Sequence, residues 1–153
     1  MENKLFREYH FKFYLNANHS IIIDGKQGQI HPHTWEFSLR ILIRREGFVE
    51  FNVFEKEISS FFGQYQNTNL NEEPPFDMTV PILENIVEYF GEQIRRLVRE
   101  IGGELLQIEG SETPTRSYCI SYDKDPGYLA GIDKVSKESI SDILDRLLDR
   151  LIS

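Results

Sequence analysis

An α+β fold with an antiparallel sheet is predicted by three observations. Two N-terminal stretches alternate apolar and polar residues, two segments with helical periodicity follow, and two shorter stretches that read as strands come after those. At 153 residues, with 40% hydrophobic and 27% charged side chains, the chain suits one soluble domain with a real core.

Residues 6–17 set Phe11, Phe13, Leu15 and Ala17 on one face and His10, Lys12, Tyr14 and Asn16 on the other, the period of a half-buried strand. Residues 21–30 read as a loop, with Asp24-Gly25 and Gly28 as turn signals. Residues 33–44 alternate again. Trp35, Phe37, Leu39, Ile41 and Ile43 face one way, and Glu36, Ser38 and Arg40 the other. Asn52, with Glu55 three residues on, reads as the N-cap of a short helix that reaches Phe62 and stops at Gly63. Residues 64–78 are polar, contain Pro74-Pro75 and read as a long loop. Pro81 suits the first turn of a second helix. The apolar face of that helix is Ile82, Leu83, Ile86, Val87, Phe90, Ile94, Leu97, Val98 and Ile101, and Gly102-Gly103 ends it. Strands over 104–108 and 116–122 follow, then a turn at Asp125-Pro126-Gly127. Ser136 and Ser139 open a last amphipathic helix with Ile140, Ile143, Leu144, Leu147, Leu148 and Leu151 on its apolar stripe. The expected organisation is a domain over 1–125 and a helical appendage over 126–153. A lone four-stranded sheet leaves two edges and one face open, which homo-oligomerisation would cover.

The formal net charge of −8 argues against a nucleic-acid partner, because an acidic surface repels phosphate backbones. No apolar run approaches the ~20 residues of a membrane span, and no signal segment opens the chain. A single cysteine, Cys119, leaves no internal disulfide, so the expected location is the cytoplasm.

Chemistry concentrates in the histidines. His31-Pro32-His33 places two imidazoles on one side of an extended backbone, and Pro32 favours that backbone. His19 follows the end of the first strand. If the two strands form a hairpin, three of the four histidines in the chain meet, which is the donor set of a zinc site with an open position. An H-x-H pair also arises by coincidence on ordinary strands. The fourth, His10, reads as structural.

These elements resemble the 6-pyruvoyl-/6-carboxy-tetrahydropterin synthase family. Leu15-Asn16-Ala17-Asn18-His19 matches its first strand end, and His31-Pro32-His33 its H-G-H. Val49-Glu50-Phe51-Asn52 matches the V-x-D-F before its first helix, Pro81-Ile82-Leu83-Glu84-Asn85 the P-T-x-E-N that opens its second, and Glu112-Thr113 its late Glu-Thr pair. The resemblance implies a tunnelling fold, with four antiparallel strands and two helices on one face per subunit. It further implies assembly into stacked rings, often a hexamer. It implies Zn2+ on His19, His31 and His33, and a pterin held by Glu112 with help from Thr113. A carboxylate accepts two parallel N–H bonds from an amino-pyrimidine edge, although Glu112 alone also reads as a solvated strand-end acid.

The departures are specific. The family's catalytic cysteine falls at Gln27, and its Asp-His pair at Gln66 and Asn67 within Gln66-Asn67-Thr68-Asn69-Leu70-Asn71. Neither amide type supplies a thiolate or a general base. Asp24 is a substitute base if it approaches the metal, and a turn residue otherwise. Two functions therefore stand side by side. One is a zinc-dependent lyase acting on dihydroneopterin triphosphate or a similar pterin, with weakened acid/base chemistry. The other is a non-catalytic zinc-containing oligomer that binds a pterin or purine-like ligand or serves as a scaffold. A plain α+β interaction domain without metal is the third.

Overall fold

The structure, a computed structural model, describes residues 7–43, 51–125 and 127. The expected C-terminal helix and the boundary at 126 lie outside the described residues.

Four long strands form one antiparallel sheet: β1 (Glu8–His19), β4 (His31–Ile43), β5 (Gly103–Thr113) and β6 (Arg116–Ser121), in the order β1-β4-β5-β6. The 21–30 segment, expected as a loop, is a small hairpin of β2 (Ile22–Ile23) and β3 (Lys26–Gln27). Its tip is Asp24-Gly25, with φ of 52° and 75°. Two consecutive positive φ values are what a tight hairpin needs to follow strand twist, and Gly accepts its share without strain. Strand signals this short are masked by the turn chemistry between them.

Helix α1 (Phe51–Gly63) buries Phe54, Ile58 and Phe62 at spacings of four. It already includes Asn52, which is therefore a helical residue and not the expected N-cap. Helix α2 (Leu83–Ile101) buries Leu83, Ile86, Val87, Phe90, Ile94, Val98 and Ile101 against the sheet. Ile82 is its N-cap, extended and partly exposed, so Pro81 stands just outside the helix. Gly102 closes the helix in the left-handed region, with φ of 105° and its N–H on the carbonyls of Arg99 and Val98.

The core lies between the helices and one sheet face: Phe13, Leu15, Trp35, Phe37, Leu39, Ile41, Leu105 and Ile108 pack under Phe54, Phe62 and Phe90. The opposite face carries Glu8, His10, Lys12, Glu36, Ser38, Arg40, Gln107 and Glu109, as alternation requires. Cys119, paired with Glu109, belongs to that polar face, where its Sγ accepts from Gln107 Nε2 at 2.7 Å.

The β1 edge is covered between Tyr14 and Ser20 by the 66–71 segment. Asn67 N–H donates to Asn16 O at 2.6 Å and Asn18 N–H to Thr68 O at 2.8 Å. The Gln66 amide donates to Tyr14 O at 2.7 Å and accepts from Asn16 N–H at 2.9 Å, as a neighbouring strand's peptide would. Asn71 repeats the device on Ser20, accepting from its N–H at 2.8 Å and donating to its carbonyl at 3.0 Å. These amides satisfy edge groups that would otherwise be left to solvent or to another strand.

Candidate metal centre

The strand pattern that fills the core also builds the site. Buried positions along β1 run Phe13, Leu15, Ala17, His19, so His19 is the last inward residue of the strand. On β4, His31 and His33 precede Trp35, Phe37 and Leu39 on the same face. The antiparallel register sets His19 opposite His31 and Ala17 opposite His33. Directly paired and diagonal residues on one face lie within side-chain reach. The three rings accordingly meet, with centroids 4.5, 4.9 and 4.7 Å apart for the pairs His19–His31, His19–His33 and His31–His33. One ring nitrogen from each lies within 4.8 Å of the others.

Backbone carbonyls orient two of the rings. His19 Nδ1 lies 2.8 Å from Pro81 O, a carbonyl left outside the ladder of α2 because the helix begins at Leu83. His31 Nδ1 lies 3.0 Å from Gln29 O. A carbonyl only accepts, so Nδ1 carries the proton in both rings and Nε2 keeps its lone pair for a cation. Burial pushes His19 below the ordinary imidazole range, an effect the Pro81 carbonyl and the Glu112 carboxylate oppose. Burial likewise lowers His33, again with Glu112 opposing. Both shifts favour neutral rings, the form a metal needs.

Glu112 comes from β5. Inward residues there run Ile108, Gly110, Glu112, and a bulge between Ser111 and Thr113 ends the regular pairing with β6. Its Oε1 is buried, has no hydrogen-bond partner among the described residues, and lies 3.5 Å from His19 Nε2. Its Oε2 lies 4.0 Å from Arg116 Nη2. A cleft of about 240 Å³ opens beside the triad, lined among others by His19, His31, Ile21, Ile82, Glu112 and Arg116. Thr113 does not line it; its hydroxyl lies 3.4 Å from that of Thr115. Three converging imidazoles, two of them with Nδ1 on a carbonyl and Nε2 free, beside a buried carboxylate suit a borderline divalent ion such as zinc.

Among the remaining expected positions, Asp24 is exposed at its hairpin tip and outside the triad group. Gln27 donates to Ser20 Oγ at 2.9 Å. Gln66 braces the β1 edge as described, and Asn67 holds φ of 61°, beside Pro32 and His33 at the rim of a second, open pocket. Sequence reasoning missed Pro81, because a carbonyl leaves no residue-type signal. It also missed Arg116, which only the β5–β6 turn brings back to Glu112. Trp35 fills the core as its place in the alternation predicts. Its ring also meets His19 edge-on at 5.0 Å and His33 at 5.3 Å, as a position two residues beyond His33 on the same strand face implies.

A family model described as 6-pyruvoyl tetrahydropterin synthase matches residues 8–124, well over half of the chain. The chain belongs to the 6-pyruvoyl tetrahydropterin synthase family. Among solved structures, the fold is similar to that of Caenorhabditis elegans 6-pyruvoyl tetrahydropterin synthase, with TM-score 0.64 and 17% identity over 79% of this chain and 99% of that one. An uncharacterized protein from Wolinella succinogenes is similar at TM-score 0.57 and 12% identity, over 77% and 99% of the two chains. Plasmodium falciparum 6-pyruvoyl tetrahydropterin synthase is similar at TM-score 0.56 and 16% identity, over 75% and 96%. No curated protein sequence matches significantly. These likenesses concern the fold of this tetrahydropterin-synthase-type chain. Among its described residues, no helix is long and apolar enough to cross a membrane.

Proposed function

We propose that this chain is a zinc-binding pterin-site protein of the lyase type, in which His19, His31 and His33 hold the metal and Glu112 faces the ligand cleft. The observation that carries this reading is the convergence of three imidazole nitrogens within 4.8 Å of one another, with two of the rings oriented by backbone carbonyls. Bound zinc would act there as a Lewis acid on a ligand oxygen.

The protein's own groups set what else is possible. Glu112 accepts N–H bonds from an amino-pyrimidine edge, as a carboxylate at the cleft wall can. Ile21 and Ile82 supply apolar surface for a flat ring, and Arg116 offers a cation to an anionic arm at the mouth. Homo-oligomerisation belongs to this reading, since the sheet's second face is polar and open in one chain.

A second reading, a non-catalytic zinc-containing relative, is favoured by one specific observation. The amides standing at the family's Cys and Asp-His positions are engaged in structural bonds, Gln27 to Ser20 and Gln66 to the β1 edge. Positioned general acid–base groups contribute about 10²–10⁴-fold, so their loss leaves at most slow turnover.

Metal analysis of the purified protein, wild type against His31→Ala, is the first test. Zinc in the wild type and none in the variant supports the reading; a wild type that cannot be loaded overturns it. Incubation of the loaded protein with dihydroneopterin triphosphate and chromatography of the products then separates the two readings. Slow product formation favours the lyase. Complete inertness favours the non-catalytic relative.

A further inference from the structure

His19 closes β1, and the register with β4 ends at its pairing with His31, so the ladder offers no partner to Ser20, the next residue. Ser20 is fully buried. An N–H or carbonyl left unpaired there would be costly. The Asn71 amide supplies both partners, accepting from Ser20 N–H at 2.8 Å and donating to Ser20 O at 3.0 Å. Asn71 is itself held, its N–H on Asn69 Oδ1 at 3.2 Å. From the other side Gln27 Nε2 donates to Ser20 Oγ at 2.9 Å. One residue before His19, Asn18 N–H donates to Thr68 O at 2.8 Å. Both chain neighbours of His19 are therefore tied to the 68–71 segment, and Ser20 to the β2–β3 hairpin as well.

Protection of a sheet edge does not account for this set. Gln66 does that work within the strand, on Tyr14 and Asn16. Ser20 lies past the strand end, and its hydroxyl is no edge group, yet it is held too. What Ser20 adjoins is His19. The place of an imidazole is set by its backbone and by the rotation of its side chain. Pro81 O fixes the rotation through Nδ1 at 2.8 Å. The bonds at Ser20 fix the backbone. A metal site needs its donor groups held to about 0.5 Å.

The hairpin extends this to a second ring. Gly28 N–H closes the hairpin on Ile21 O at 2.9 Å, and Gln29, next in the chain, presents the carbonyl that orients His31. Gln27 thus links the backbone beside one ring to the segment that orients another.

We propose that Asn71 and Gln27 are positioning residues of the metal centre, which fix the backbone at His19 through Ser20. Gln27, standing where the family's catalytic cysteine falls, has then exchanged a chemical role for a mechanical one. This inference rests on the zinc reading above and not on the pterin part of it.

The test compares two amides that make the same pair of bonds and differ in what lies beside them. Zinc affinity is measured by competition with a chromophoric chelator for the wild type, Asn71→Ala, Gln27→Ala and Gln66→Ala. The visible absorption of each Co2+-loaded protein is recorded alongside. Residues that orient a ligand are worth about 10–100-fold in metal affinity. A loss in that range is expected in Asn71→Ala, with altered cobalt bands. Gln27→Ala gives up one bond where Asn71→Ala gives up two, and is expected to show the same changes to a smaller degree. Gln66→Ala, which gives up the bonds to Tyr14 and Asn16, is expected to keep the affinity and spectrum of the wild type. Melting of the metal-free proteins is expected to fall by similar amounts in Asn71→Ala and Gln66→Ala, so a difference in zinc affinity between them is not a difference in folding. Cobalt bands in Asn71→Ala identical to the wild type would overturn the positioning role and leave the zinc reading intact. An affinity loss in Gln66→Ala as large as that in Asn71→Ala would do the same. Should Asn71→Ala not fold, Gln27→Ala against Gln66→Ala decides the question by the same two criteria. A wild type that binds neither ion would overturn the zinc reading, and this inference with it.

Discussion

Gln66→Glu separates a structural amide from a lost catalytic acid. The Gln66 side chain makes two bonds to β1, one donated to Tyr14 O at 2.7 Å and one accepted from Asn16 N–H at 2.9 Å. The introduced carboxylate keeps the second and strengthens it by its charge, but replaces the donor of the first with an oxygen aimed at a carbonyl oxygen. The lost bond is worth about 1 kcal/mol, and the opposed oxygens add a similar amount, reduced because the site is only half-buried. The net loss at pH 7 is about 1–2 kcal/mol. For a domain of this size that lowers Tm by roughly 2–8 °C. Urea unfolding of metal-free protein followed by far-ultraviolet circular dichroism reads the difference. The sign has a built-in check. Once protonated, the introduced carboxyl group regains an O–H donor, so the gap between variant and wild type narrows as pH falls toward the ordinary carboxylate range. A variant as stable as wild type at pH 7, or a gap that does not close in acid, would refute the bracing role.

Other outcomes follow from the packing and the histidines. In Gly110→Ala the new Cβ would lie 2.4 Å from Val87 Cγ2 and 3.1 Å from Phe37 Cε1; overpacking of this kind costs about 1–3 kcal/mol, and Val87→Ala in the same chain should restore most of it, as a double-mutant cycle in urea would show. In the metal-free protein, His19 and His33 have lowered pKa values, so the unfolded chain binds more protons below the ordinary imidazole value of 6.5. Their contribution is therefore whole above pH 6.5 and is lost as pH falls from there toward the lowered folded values; double replacement by Gln should flatten that part of the stability profile, and an unchanged slope would contradict the burial argument. Trp35, the one tryptophan of the chain, touches two of the three rings, so Co2+ loading should quench its emission in the wild type and not in His31→Ala.

What the sequence made legible, and what it did not, divides on physical grounds. Alternation over β1 and β4 assigned both faces correctly, because a half-buried strand has no other way to bury Phe13, Leu15, Trp35 and Phe37 together. His19, expected just past the first strand, is instead the last residue of β1, so the same alternation sets it inward with His31 and His33, and the register makes them neighbours. The second helix was readable from its long apolar stripe and from Gly102. The 66–71 segment was not. Its amides read as replaced catalytic groups, and their work on the β1 edge depends on a strand 50 residues earlier in the chain. The Pro81 carbonyl and the placement of Arg116 beside Glu112 are tertiary facts of the same kind. Asp24 as a turn residue was the simpler of its two readings, and the structure sets it at a hairpin tip with positive φ.

The account stands most directly on what surrounds the metal. Zinc-edge X-ray absorption of the zinc-loaded wild type counts the imidazoles through the scattering of their distant ring atoms and reads the metal–ligand distances. Three imidazoles and an oxygen donor, at about 2.0–2.2 Å, are expected. A sulfur contribution near ~2.3 Å, which Cys119 alone could give, or a spectrum that needs fewer than two imidazoles, would contradict it.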